Sequence, residues 1–110
     1  MSRHDPVVSI KQMIDYDQKA MAISRGRKRA ELDNDLTFNL ALTRAVEVIG
    51  EAADRIPGEI QADHPEIAWA EIIGMRNRLI HGYDDVDADF LWSVVQDDLP
   101  KLIGQLKRLL

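Results

Sequence analysis

Apolar residues recur at helical spacing along nearly the whole chain, and no stretch alternates with the period of two that a half-buried strand needs. The pattern predicts a chain that is helical throughout. Asp5-Pro6 supplies a capping carboxylate followed by proline at the first helical position, and Val7, Ile10, Ile14 and Met21 follow on one face, so a first helix is expected to reach about Ser24. Arg25-Gly26-Arg27-Lys28-Arg29 breaks the pattern with four cations around a glycine. After the cap candidates Asp33-Asn34-Asp35, a second helix carries Leu42, Ala45, Ile49, Ala52 and Ile56 on one face and stops at Pro57-Gly58. Leu36, Phe38, Leu40, Val46 and Val48 widen its apolar surface, and a helix apolar on more than one side must meet more than one neighbour. In a domain this small, one of those neighbours can be a second subunit.

His64-Pro65-Glu66 starts a third helix, expected from Glu66 to about His81. Gly82 and the acids Asp84, Asp85 and Asp87 mark a turn, and Phe90, Leu91, Val94, Val95 and Leu99 form the face of a fourth helix. Pro100 has no N–H to donate to Gln96 and is expected to kink or split that helix, with Leu102, Ile103, Leu106, Leu109 and Leu110 packing beyond it. With no internal repeat or linker, residues 1–110 are predicted to form a single all-α domain, an up-and-down bundle of four to five helices.

Composition narrows what such a bundle can do. A chain of 110 residues is one domain, too short for a deep cleft between two lobes, so a second subunit is a natural way to complete a site. The absence of cysteine excludes disulfides, thiolate nucleophiles and Cys-based metal sites, leaving His4, His64 and His81 for imidazole chemistry. No apolar run is long enough to span a bilayer and the first ten residues lack a secretory pattern, so a cytoplasmic protein without membrane contact is expected. The net charge of -5 argues against a general nucleic-acid binder, but a local cationic pocket can hold a phosphate on an acidic surface.

The chemistry is concentrated in Arg76-Asn77-Arg78-Leu79-Ile80-His81-Gly82-Tyr83. On a continuous helix Asn77 and His81 stand one turn apart, so the amide can orient the imidazole, and Arg76 and Tyr83 fall near one meridian. That meridian carries Ile72 and lies close to Ile80, which directs Arg76 toward the apolar side. A guanidinium there needs an anion. Either Glu51 or Glu47 of the second helix supplies it as a buried ion pair, or the anion is a substrate phosphate. In the second case the arginine binds phosphate, and a histidine titrating near neutrality moves the proton. One histidine per chain provides the base or the acid, and two symmetry-related chains provide both.

Arg76, His81 and Tyr83 resemble the R-x4-H-x-Y signature of the HepT-like toxins of the HEPN superfamily. Val48-Ile49-Gly50-Glu51-Ala52, His64-Pro65-Glu66-Ile67 with Trp69, and Leu91-Trp92 with Asp98-Leu99-Pro100 resemble further family segments, so the similarity runs from about Leu36 to Leu110. The resemblance implies a HEPN-like homodimer with a composite active site at its interface, acting as an endoribonuclease toxin of a type VII-like toxin–antitoxin pair. It implies cleavage of RNA without a metal or other cofactor: Arg76 binds the scissile phosphate, His81 transfers protons, Asn77 supports them, and the ribose 2′-hydroxyl attacks. It further implies a cognate MntA-type nucleotidyltransferase antitoxin that modifies Tyr83 with AMP. An adenylyl group beside Arg76 would place negative charge and bulk where RNA must lie.

The other candidates have simpler expected roles. His4 lies in an end segment, His64 at a helix entrance, Trp69 and Trp92 in core or interface, and the acids from Asp84 to Asp89 at a solvated helix start, where they can also offer a docking surface for a basic antitoxin. The Arg25–Arg29 run is a solvated loop or a backbone-phosphate contact. Two rival readings of the chain are a non-catalytic HEPN module that partners a nucleotidyltransferase, and a structural dimer whose polar cluster only fixes packing.

Overall fold

The structure is a computed structural model that describes residues 5–81 and 85–110, with His81 described through its backbone. Helix α1 (Pro6–Ser24) begins as expected: the Asp5 carboxylate accepts from the backbone N–H of Val7 at 2.9 Å and Pro6 occupies the first turn. Its buried line is rotated from the expected one. Ile10, Met13, Asp17, Ala20 and Ser24 face inward at alternating three- and four-residue spacing, while Val7 is exposed. A short helix α2 (Glu31–Asn34) follows the cationic loop, and Asp35 then caps α3 (Leu36–Asp54) by accepting from Phe38 N–H at 3.1 Å.

Helix α3 is the central rod. Leu42, Ala45, Ile49, Ala52 and Ile56 are all buried, as predicted, together with Phe38, Val46 and Val48. Helices α1 and α3 run antiparallel, since Gln12 near the start of one bonds Arg55 just beyond the end of the other at 2.9 Å, and Arg27 beyond the far end of α1 stacks on Phe38. Helix α4 (Gly58–Asp63) is a surface turn leading into the next crossing.

The expected third helix is shorter and divided. Pro65 and Glu66 form a turn, pinned by Trp69 Nε1 donating to the His64 carbonyl at 3.0 Å, and the helix starts only at Trp69. It runs as α5 (Trp69–Ile73) and, after Gly74, as α6 (Met75–Leu79). It then stops two residues before His81: Ile80 is extended, and strand β1 (Ile80–His81) pairs antiparallel with β2 (Asp85–Val86). Asp87 N–H donates to the Leu79 carbonyl at 2.7 Å, so a ladder replaces the last helical turn. β-branched Ile80 suits the extended form. This two-stranded pair is the exception to the purely helical reading; the architecture is otherwise an all-α bundle.

Gly50 explains how closely α5 lies on α3. A β-carbon added there would sit 3.0 Å from the Ile72 carbonyl oxygen, so any larger residue would press on this backbone. The chain ends in α7 (Ala88–Ser93), a π-helical turn (Val94–Asp98) and α8 (Leu99–Lys107). Pro100 acts near the expected place but without breaking the rod: Leu99 N–H reaches five residues back to the Val94 carbonyl, widening the helix by one residue. No described helix is long and apolar enough to cross a membrane.

Candidate active site

Helix α6 buries Met75 and Leu79, one turn apart, against the core, which leaves Arg76, Asn77 and Arg78 on its outer surface. Arg76 therefore does not project toward the apolar side. Its side chain is 66 % exposed, and the inward positions are Ile72, Met75 and Leu79 rather than the 72–76–80 meridian.

Of the two carboxylates that the sequence offers it, Glu47 and not Glu51 is the neighbour. Arg76 Nε lies 3.9 Å from Glu47 Oε2, whereas Glu51 pairs with Arg44 at 3.2 Å. The antiparallel crossing is the reason: with Gly50 level with Ile72, the residue of α3 level with Arg76 is one turn earlier, at position 47. A pair at this distance, with the guanidinium mostly in water, is loose.

The helix-based alignment of the remaining residues does not survive the break after Leu79. Asn77 is exposed on α6 while His81 belongs to β1, so the two residues do not share a helix face. The His81 side chain and Tyr83 lie outside the described residues, as do His4, Gly82 and Asp84. The backbone nevertheless places His81 five residues after Arg76, at the end of the strand that continues α6.

Arg78 was passed over by sequence reasoning and has a defined environment. Its guanidinium carbon stands 4.3 Å above the centre of the Phe90 ring, joining α6 to α7. The only sequence signal for this contact is an arginine and a phenylalanine in segments expected to neighbour each other.

The Arg25–Arg29 run is largely neutralised within the fold. Arg27 bonds Glu31 and Asp35, each at 2.8 Å, and stacks on Phe38; Arg29 bonds Asp33 and Asp89. These contacts raise the pKa of Arg27, first through Asp35, and of Arg29, first through Asp89. Asp35 is held below the ordinary carboxylate range, chiefly by the Phe38 N–H and then by Arg27. Among the described residues, only Arg25 and Lys28 of the run lack a carboxylate partner for their side chains. Two of the acids after Tyr83 are likewise engaged: Asp87 caps α7 through Phe90 N–H at 2.9 Å, and Asp89 holds Arg29. Trp69 is core, as expected, and Trp92 packs partly buried against it.

A ribonuclease family model, "Ribonuclease HepT-like", matches residues 11–109. The chain is 44 % identical over 75 residues to "Probable ribonuclease HepT" of Thermococcus cleftensis, covering 68 % of each chain. It is 30 % identical over 102 residues to "Putative RNase MJ1380" of Methanocaldococcus jannaschii, covering 93 % of this chain and 94 % of that one. No solved structure matches. With a loosely paired arginine facing water on the helix that leads into His81, and a family match across almost all of its length, the chain belongs to the HepT-like ribonucleases.

Proposed function

We propose that the protein is a metal-independent endoribonuclease that works as a homodimer, with Arg76 and His81 as its catalytic residues and Asn77 in support. The observation that carries the reading is Arg76 itself, a guanidinium presented to solvent with only a distant carboxylate beside it. It is free to exchange that contact for the two-pronged hydrogen bonding a phosphodiester offers. The nucleophile comes from the substrate: one His81 takes the proton of the ribose 2′-hydroxyl, and the new 2′-O–P bond forms as the P–O5′ bond breaks. The partner's His81 protonates the departing 5′-oxygen, and Arg76 offsets the charge that builds on the phosphoryl oxygens. The products are a 2′,3′-cyclic phosphate and a free 5′-hydroxyl.

An apolar stripe near Arg76 supports the dimer. Leu36 and Leu40, 72 % and 58 % exposed, lie one turn apart on α3 beside an open groove that Thr43, Glu47, Ile80 and Val86 also line. A second copy seated there shields both leucines and brings two Arg76–His81 pairs toward one axis. Tyr83, two residues beyond His81, is the residue a nucleotidyltransferase antitoxin would modify with AMP, which would place a competing phosphate near Arg76.

The test is incubation of unmodified protein with cellular RNA in excess EDTA, wild type beside His81→Ala and Arg76→Ala, with mapping of product ends. Cleavage by wild type alone, leaving 2′,3′-cyclic phosphates, is expected. Equal cleavage by either variant refutes the assigned roles.

A further inference from the structure

A second concave feature lies on the other side of α6. A cavity of about 160 Å³ opens between α5, α6, α7, the π-helical turn and α8. Ile72, Met75, Val94 and Leu102 give it an apolar floor. Arg78, its guanidinium stacked on Phe90, lines the cavity together with Glu71 and Asp98. Val94 and Asp98 are the two ends of the π-helical turn, so the widened helix helps to shape the wall; such turns recur at functional sites.

The rim chemistry selects an occupant. Glu66, Glu71 and Asp98 outnumber Arg78 and Lys101, so the cavity is a poor home for a phosphate. An apolar floor beside a guanidinium stacked on a ring suits a flat aromatic group, as in proteins that take single-stranded RNA by its bases. The Asp98 carboxyl is pushed above its ordinary value, first by burial and then by Asp97 and Glu71, while Arg78 and Lys101 oppose the shift; this disfavours its ionised form, which donors from a bound base would restore. An ionised carboxylate only accepts hydrogen bonds. Among the RNA bases, guanine alone offers two adjacent donors, N1–H and N2–H₂, on one edge.

Resting on the ribonuclease reading above, we propose that this cavity is a subsite for a guanine base of the RNA, stacked on Arg78 and read by Asp98. Arg76 and Arg78 emerge on roughly opposite sides of a helix about 10–12 Å across with its side chains. An extended single strand crossing α6 can place a phosphate at Arg76 and a nearby base in the cavity. The subsite sets which sequence is cut, while the chemistry stays with Arg76 and His81.

Two measurements separate the subsite from the nuclease reading. Guanosine and adenosine 5′-monophosphate are titrated into wild type, Asp98→Asn and Arg78→Ala and followed by NMR, with circular dichroism confirming that each variant is folded. Guanosine monophosphate is expected to bind wild type with shifts around Met75 and Phe90. A base contact of this type gives at least about fivefold preference over adenosine monophosphate, which Asp98→Asn removes and Arg78→Ala weakens. Equal binding of the two nucleotides, no binding, or a preference indifferent to both variants overturns the proposal. Cleavage of RNAs differing at a single guanine is then compared within each protein: a G-to-A ratio unchanged by Asp98→Asn also overturns it. Complete absence of cleavage by wild type defeats the nuclease reading instead, while nucleotide titration still decides the cavity.

Discussion

Asp17 is the least expected residue in the core, and its protonation is predicted to control stability near neutral pH. It sits mid-way along the buried face of α1, wholly excluded from solvent, and neither carboxylate oxygen has a hydrogen-bond partner. Burial pushes its pKa from 3.8 up to about 7, against a lowering pull from Lys107 on α8. The folded state therefore binds the proton more tightly than the unfolded chain does. The favourable, protonated arrangement is fully present below about pH 4, and stability falls as pH rises toward 7. At 1.36 kcal/mol per pKa unit, the shift amounts to about 4 kcal/mol between the two ends of that window.

Asp17→Asn keeps the shape and removes the charge. Its amide brings unsatisfied donors of its own, at a cost of about 1–3 kcal/mol. The variant is therefore expected to gain roughly 1–3 kcal/mol over wild type at pH 8 and to lose that advantage by pH 5. Urea denaturation at fixed protein concentration, repeated from pH 5 to 8, reads the difference; concentration is fixed because a dimer's stability depends on it. The lowered carboxylates Glu31 and Asp35 titrate below this range and do not obscure it. Parallel pH profiles for wild type and Asp17→Asn would refute the reasoning.

Other outcomes follow from the packing and the exposed faces. Gly50→Ala forces a methyl group to 3.0 Å from a backbone oxygen and is expected to destabilise by about 1–3 kcal/mol, measured by thermal unfolding; an unchanged midpoint would mean α5 shifts freely. Leu40→Asp places a charge on the proposed dimer face and is expected to give a folded monomer by analytical ultracentrifugation, with RNA cleavage lost; a dimer of undiminished strength excludes that face. Glu47→Gln removes the carboxylate nearest Arg76, so binding of RNA by His81→Ala protein should tighten a few-fold at low salt; weaker binding would make Glu47 a positioning residue for Arg76.

The main rods were legible because their burial follows periodicity and their ends follow capping chemistry. Asp5-Pro6, Asp35 and the buried face of α3 were all readable from residue type and spacing. What failed to show depended on tertiary contacts. A line of inward positions through Asp17 cannot be inferred by following apolar residues, because the residue at its centre is an acid. The end of α6 was hidden for a different reason. Arg76 to His81 carries helical spacing, yet backbone pairing of Ile80 with Val86 and of Leu79 with Asp87 draws the chain into a ladder. Choosing Glu47 over Glu51 needed the closeness of α3 and α5, which Gly50 sets and which motif resemblance registers only as a glycine.

The charge pattern shows why net charge was a poor guide to the site. The densest cationic run in the sequence, Arg25 to Arg29, spends Arg27 and Arg29 on four carboxylates that tie the α1–α3 connection and α7 together. Those arginines can offer little to RNA without giving up contacts that hold the fold. The sparser pair on α6 is arranged differently: Arg76 has one loose carboxylate neighbour, and Arg78 rests on an aromatic ring, which leaves its outer face available. A cation already satisfied by short ion pairs gains little by meeting a phosphate, whereas one beside only a distant acid keeps most of that interaction, and one resting on a ring keeps its other face for a base. Under the proposed ribonuclease reading, RNA on a chain with a net charge of -5 is met by the few cations whose neighbours leave them uncommitted.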